Sequence, residues 1–364
     1  MNSLQLLQFI LSFAVQATLI TLATCAIERR CESARTKAQV WTCYYLCILA
    51  VFAAGLLLPK ANLASPWLRL SGREILRAVT FQETAAAFLL ATWFTGLFVF
   101  AVRWLIAFAL VHRFLRRCPR VGESEKLRFH NAVSAKLLKL EGRDIEFRIS
   151  PEVFGPFCYQ FHTPVVFLPQ SVVIGDPEEL KQVLQHELTH LQTRHPLQLF
   201  VQRIVQTLLW FIPTVWMAGR RASLAREFVC DDAAVGRSAS TVSYLKTLLR
   251  FAQGQNEYSR TILTMARSTS ELKVRAQRLA TRRSSNKGRR SVWAQCFVVL
   301  ISLGVSQLWL PTNPLDSPKA YYSPWPTWSA AVLHTFDISA RDFDKFDARL
   351  QVHDLMHETS APEL

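Results

Sequence analysis

The last 54 residues of this chain contain no cysteine, although eight occur before them, at 25, 31, 43, 47, 118, 158, 230 and 296. That distribution argues against a disulfide framework and fits a reducing compartment for the middle of the chain. Acidic residues are scarce, 27 against 42 Lys and Arg, for a net charge of +15, yet no nucleic-acid motif accompanies the excess. The first apolar stretch has neither a basic start nor a small-residue cleavage site. Arg29 and Arg30 follow it, so it reads as an uncleaved helix rather than a signal peptide. A transporter needs polar residues paired between spans, and apart from Arg103 they are missing.

What is present is apolar. Half of the residues are hydrophobic, concentrated in four stretches of membrane-span length at about 4–27, 40–58, 85–111 and 292–310. Arg113, Arg116, Arg117 and Arg120 follow the third, and Lys287, Arg289 and Arg290 precede the fourth. After 310 there are four basic and eight acidic residues. The positive-inside rule therefore places the middle segment in the cytosol and both termini outside. Much of the basic excess then lies beside the inner leaflet, where anionic lipid explains it more simply than nucleic acid. Arg103, next to Trp104 near the end of a long apolar stretch, reads as snorkelling to the inner interface. Cys43 and Cys47 share one face of the second span and read as helix packing. The expected units are 1–113 (three spans), 114–290 (cytosolic domain with an interfacial helix and a basic linker), 291–310 (the fourth span) and 311–364 (an outside tail).

The middle segment carries His186-Glu187-Leu188-Thr189-His190. On a helix this spacing stacks two imidazoles one turn apart on one face. They can share a Zn2+ there, with Glu187 placed to accept a proton from a metal-activated water. Asp176, Pro177 and Glu179 read as N-cap, first helical residue and capping-box partner. Leu180, Val183, Leu184, Leu188 and Leu191 form an apolar stripe that encloses Glu187. A carboxylate among leucines is costly without a compensating cation. A merely solvated helix offers none.

A catalytic zinc needs a third protein ligand. His195 is near, but the extended pattern with Gly at 193 and His at 196 is excluded by Thr193 and Pro196. Farther on, Glu227 and Asp231 stand one turn apart. Glu227 can complete a His2Glu set, and Asp231 can accept the free N–H of a ligand histidine. The alternative is that both acids solvate a surface helix. Cys230 is a possible soft ligand that helical geometry turns away from both, so it reads as core filler.

Elsewhere, about 123–140 has helical periodicity, while 145–149 and 163–168 read as strands around a turn at 154–156. Residues Val165 to Phe167 are a candidate edge strand for substrate, with a plain core strand as the alternative. The stretch 197–216 is apolar but carries Gln198, Gln202, Arg203 and Gln206 on one face, and reads as a helix in the membrane interface, or else one buried in the soluble fold. Residues 267–290 hold nine bases and one acid and read as a helix tip followed by a loose basic linker, in which Arg282-Arg283 and Arg289-Arg290 read as lipid contacts, with exposed cleavage sites as the alternative. The tail's His353 and His357 share a helical face without a third ligand nearby, so metal is not expected there.

These residues resemble the membrane-embedded zinc peptidases typified by the BlaR/MecR antibiotic-sensing antirepressors. The resemblance rests on the run from Asp176 to Val235. It includes His186 to His190, Arg194-His195-Pro196-Leu197, Trp210-Phe-Ile-Pro213, Val215-Trp216, Arg226-Glu227 and Cys230-Asp231. Phe154-Gly155, Leu168-Pro169 and Leu272-Lys273 add to it, and roughly residues 1–310 are covered. Many relatives have aspartate where this chain has His195. The resemblance implies an α+β, mainly helical fold, in which four transmembrane helices carry a cytosolic gluzincin-like domain with a short sheet beside the motif helix. It implies zinc on His186, His190 and Glu227, with Glu187 as general base. It also implies a protein or peptide substrate, such as a repressor or the chain's own linker, in a bacterial inner membrane. A 54-residue tail cannot hold the family's β-lactam sensor domain, so no β-lactam sensing is expected. The rival reading is a non-catalytic membrane receptor or scaffold that keeps the fold, but only catalysis requires Glu187 beside the ligands.

Overall fold

The computed structural model describes residues 3–59, 70–150, 155–160, 163–236, 241–258, 269–281, 290–310, 325 and 327–340. In chain order the elements begin with three helices, α1 (Ser3–Arg29), α2 (Ala34–Leu57) and α3 (Gly72–Arg117). All three are long and apolar enough to cross a membrane. A short helix α4 (Glu123–Ala132) follows, then strands β1 (Lys139–Leu140), β2 (Arg143–Asp144), β3 (Glu146–Ser150), β4 (Phe157–Gln160) and β5 (Pro164–Pro169). Helices α5 (Gln170–Ile174), α6 (Pro177–Gln192), α7 (His195–Leu208), α8 (Pro213–Val235), α9 (Thr241–Tyr258), α10 (Thr269–Ala280), α11 (Arg290–Ser306) and α12 (Thr327–His334) complete it. Helices with a two-stranded and a three-stranded sheet make an α+β, mainly helical chain, and its apolar helices make it a membrane protein. The pairs Arg282-Arg283 and His353/His357, together with Arg289 and Phe154, lie outside the described residues.

Two apolar cores form. The larger joins α1, α2 and α11 to the inner faces of α7 and α8, through Trp41, Tyr44, Tyr45, Ile48, Val205, Val215, Ala218, Ala222 and Val298. The smaller lies under α6, where Leu180, Val183, Leu184, Leu188 and Leu191 meet Phe129, Phe147, Val166, Leu168 and Val172. The apolar stripe of α6 is thus turned inward, as its spacing predicts. Asp176 caps it, accepting from Glu179 N at 3.3 Å. The reciprocal half of the expected capping box is absent, because the Glu179 carboxylate pairs with Arg250 of α9 at 2.6 Å.

Three expectations are corrected. Helix α4 stops at Ala132 instead of continuing to 140, because Val133 turns extended and the chain re-enters the small core as β1, burying Leu138 and Leu140. Strand β5 is the core strand of the two alternatives rather than the edge: it runs parallel to β3 and antiparallel to β4 between the two, with every residue buried. Since Pro119 and Val121 bond the outer side of β3, β4 is the open edge of this sheet among the described residues. The third correction concerns 197–216, expected as one helix in the membrane interface or buried in the fold, which is split between α7 and α8. α7 and α8 form a hairpin whose polar face points inward. Gln202 Oε1 accepts from Arg226 Nη2 at 2.7 Å, Gln202 Nε2 donates to Gly219 O at 3.4 Å, and both Gln202 and Gln206 are buried. Leu197, Leu199 and Phe200 face outward. A hairpin that is polar inside and apolar outside suits a lipid surrounding rather than water.

The hairpin runs along α3. Trp104 stacks on Phe200 at 5.3 Å, and Trp93 Nε1 donates to Leu208 O at 3.0 Å, so α7 descends antiparallel to α3. At the tip, Trp210 lies against Gly96, where an added Cβ would stand 2.2 Å from the indole. Only glycine admits the ring there. Gly96→Val is expected to push the tip away and destabilise the protein by about 1–3 kcal/mol, read as a lower unfolding midpoint in detergent. Gly304→Val, with nothing within 4 Å of its Cβ, serves as the unaffected control.

Candidate metal centre

A tight turn brings the site together. α6 ends at Gln192, Arg194 takes a left-handed conformation (φ 56°), and α7 starts at once with His195 and Pro196. This turn folds His195 back on the motif helix, so His195 Nδ1 stands 3.0 Å from His190 Nδ1. α8 crosses α6 and presents Glu227, Cys230 and Asp231 from the opposite side.

The atoms that face one another are spaced for a metal. His186 Nε2 and His190 Nε2 are 3.3 Å apart. Glu227 Oε2 is 3.5 Å from the first, and its Oε1 is 3.6 Å from the second. Ligand atoms about 2.1 Å from a tetrahedral ion stand about 3.4 Å from each other. The two Nε2 atoms and the Glu227 carboxylate, one oxygen toward each imidazole, thus lie at about that spacing. Glu187, next in the chain to His186, is almost fully buried at 2% exposure.

The hydrogen bonds assign the tautomers. Tyr244 of α9 donates its hydroxyl proton to Asp231 Oδ1 at 2.8 Å, and its oxygen lies 2.9 Å from His186 Nδ1. Its one proton is used, so His186 Nδ1–H is the donor and Nε2 keeps its lone pair toward Glu227. Asp231 Oδ1 itself is 3.5 Å from His186 Nδ1. On the other side, burial first and then the Arg226 charge push the His195 imidazole down to a pKa of about 3. Neutral His195 can accept at Nδ1 from His190 Nδ1–H, which frees His190 Nε2 for the site as well. Burial, with Asp231 next, raises the Tyr244 phenol well above its ordinary value, so it keeps its proton.

The buried acids are neutralised by α10. Arg275 Nη1 is 2.9 Å from Glu227 Oε2, its Nε donates to Asp231 Oδ2 at 2.9 Å, and its Nη2 bonds Asp231 Oδ1. Burial lowers its pKa, but Glu227 and Asp231 outweigh that and hold the guanidinium charged. One turn on, Arg278 forks onto Asp232 at 2.9 and 2.6 Å. These two arginines, in the helical part of the basic run, fasten α10 to α8.

Sequence reasoning missed Tyr244, Arg275 and the part played by His195. The last was considered only as a ligand. Two bases one turn apart at 275 and 278, matching the acids at 231 and 232, were the available signal for α10. Nothing in the sequence near Tyr244 announces it. Cys230 also needs correction, because it is not mere core filler. A ligand atom from each of His186, His190 and Cys230 falls within 4.8 Å of the others, and Sγ is 3.6 Å from His195 Nδ1. Two donor sets therefore share the histidines. Glu227 meets both Nε2 atoms at tetrahedral edge lengths, whereas the sulfur approaches from the side where His195 stands.

These features define a membrane protein with a peptidase-type histidine helix, and the chain belongs to the BlaR1 peptidase M56 family, whose model matches residues 4–279. The Regulatory protein BlaR1 of Bacillus licheniformis is similar, with 23% identity over 193 residues, 52% of this chain and 32% of that protein. The alignment thus spans about a third of that relative's length.

Removing one partner of a buried charge pair costs about 3–5 kcal/mol. Arg275→Met leaves Glu227 and Asp231 without their shared cation. It should lower the unfolding midpoint far more than Lys126→Met, whose pairing with Glu123 is exposed.

Proposed function

We propose that this protein is an integral-membrane zinc endopeptidase that cleaves a protein substrate during transmembrane signalling, with the zinc domain on the cytosolic face of a bacterial inner membrane. The observation that carries the reading is the convergence of the two Nε2 atoms and the Glu227 carboxylate at spacings that suit a tetrahedral ion. His186, His190 and Glu227 would hold the zinc. When bound, it supplies Lewis acidity, acidifying water and polarising a scissile carbonyl.

The residues of the chain do the rest. The Glu187 carboxylate takes the proton of the attacking water and returns it to the leaving amine nitrogen. Asp231, through Tyr244, holds the His186 tautomer, and His195 holds that of His190. Arg275 keeps Glu227 turned toward the histidines. β4 packs beside α6 and is the sheet's free edge, so an extended substrate would add its strand to β4. A repressor or the chain's own linker fits this peptide chemistry. The buried Glu187 disfavours the alternative of a non-catalytic receptor or scaffold, since holding a metal does not require it.

Glu187→Gln should retain bound zinc and lose cleavage of itself or of co-expressed substrate candidates by at least about 100-fold. Identical fragment patterns in variant and wild type would support the scaffold instead. A second comparison settles the donor set by metal content alone. Glu227→Ala should lose zinc and Cys230→Ala should keep it; the reverse would assign the ion to His186, His190 and Cys230.

A further inference from the structure

Beside the α7–α8 hairpin tip lies a groove of about 430 Å³ lined by Trp210, Phe211, Pro213, Trp216, Met217 and Arg220. We propose that it holds one anionic phospholipid, with the phosphate on Arg220 and an acyl chain against the aromatic residues. The inference rests on the membrane placement of α1–α3 but not on catalysis.

Depth comes first. Arg221 pairs with Glu28, one residue before the end of α1, at 2.9 Å. That contact marks the basic, inner end of the first span. α8 begins at Pro213, eight residues or about 12 Å farther along the helix from Arg221. On α3, Trp93 bonds Leu208 ten residues, or about 15 Å, from Arg103. Both measures put the tip well inside the hydrocarbon, half of whose thickness is about 15 Å. The inward-facing polar side chains of the hairpin agree with that surrounding.

The chemistry then divides along the groove. Its deep end is Trp210, Phe211 and Pro213, held by the bond from Trp216 Nε1 to Trp210 O at 2.8 Å. Its shallow end is Arg220, exposed at headgroup height. Arg221 is occupied by Glu28, but no carboxylate among the described residues pairs with Arg220. A cation left over at that level, above an aromatic slot, matches a phosphate with an attached chain. A basic pocket beside membrane helices on the cytosolic side is the usual setting for such headgroups.

The test uses the full-length protein in nanodiscs of phosphatidylcholine with a minor share of phosphatidylglycerol, followed by native mass spectrometry of the lipid that stays bound. Wild type should keep one phosphatidylglycerol in preference to phosphatidylcholine. Arg220→Gln should bind it about fivefold more weakly, while Arg29→Gln, a basic residue at the same membrane face, should not change it. Equal retention of the two lipids, or undiminished phosphatidylglycerol on Arg220→Gln, would overturn the proposal. Brominated lipids distinguish the two ways it can fail. Quenching of the fluorescence lost in Trp216→Phe by both headgroups alike leaves the hairpin in lipid and removes the specific site. No quenching by either removes the inserted hairpin itself. Zinc content, measured in parallel, keeps the catalytic reading separate.

Discussion

The arrangement depends on charge balance inside a nearly dry space. Glu187, Glu227 and Asp231 are all withdrawn from bulk water, and an isolated buried carboxylate is among the most expensive groups a fold can contain. Arg275 answers Glu227 and Asp231 from α10. Each neighbouring element is placed by that requirement. α8 has to cross α6 closely enough for Glu227 to reach both imidazoles, α9 has to deliver the Tyr244 hydroxyl, and α10 has to lie along α8. The arginine is also a competitor, because it holds one oxygen of the carboxylate that the metal needs. With a metal bound, Glu227 would sit between two cations, which would fix its orientation more firmly than Arg275 alone.

Much of this was legible in the residues. Histidine spacing, a leucine stripe and a Pro-preceded cap locate α6 because local periodicity governs a helix that packs on one face. Long apolar runs locate α1 and α2 for the same reason. The failures share a different cause. Gln202 and Gln206 look solvent-facing when polarity is taken to mean water, yet in a lipid surrounding the polar side is the inner one. Glu179 fits a capping box until Arg250 arrives from a helix some seventy residues on. β5 reads equally as edge or core because pairing partners cannot be seen in a single strand. Tyr244 and Arg275 become functional only through tertiary contact, and no local pattern encodes that.

The thiol of Cys230 shows how a site can hold two chemistries at once. Burial, then Glu227, raises its pKa well above the ordinary thiol value, so without a cation it stays protonated and behaves as an apolar side chain. Its position near the histidines nevertheless gives the centre a softer donor within reach. Glu227 and Cys230 thus offer donors of different hardness beside the same two histidines.

The length of α3 has a mechanical consequence. At about 69 Å its 46 residues are more than twice the hydrocarbon thickness of about 30 Å. Its far end is fastened to the sheet: Phe114 touches Phe157 and Phe167, and Arg148 Nη1 donates to the Cys118 carbonyl at 3.3 Å. A stiff rod pivoting near its middle turns a tilt of 10° into about 6 Å of travel at each end. A small lean on one side of the bilayer thus arrives as a displacement of β4 and β5, the strands that border the histidines.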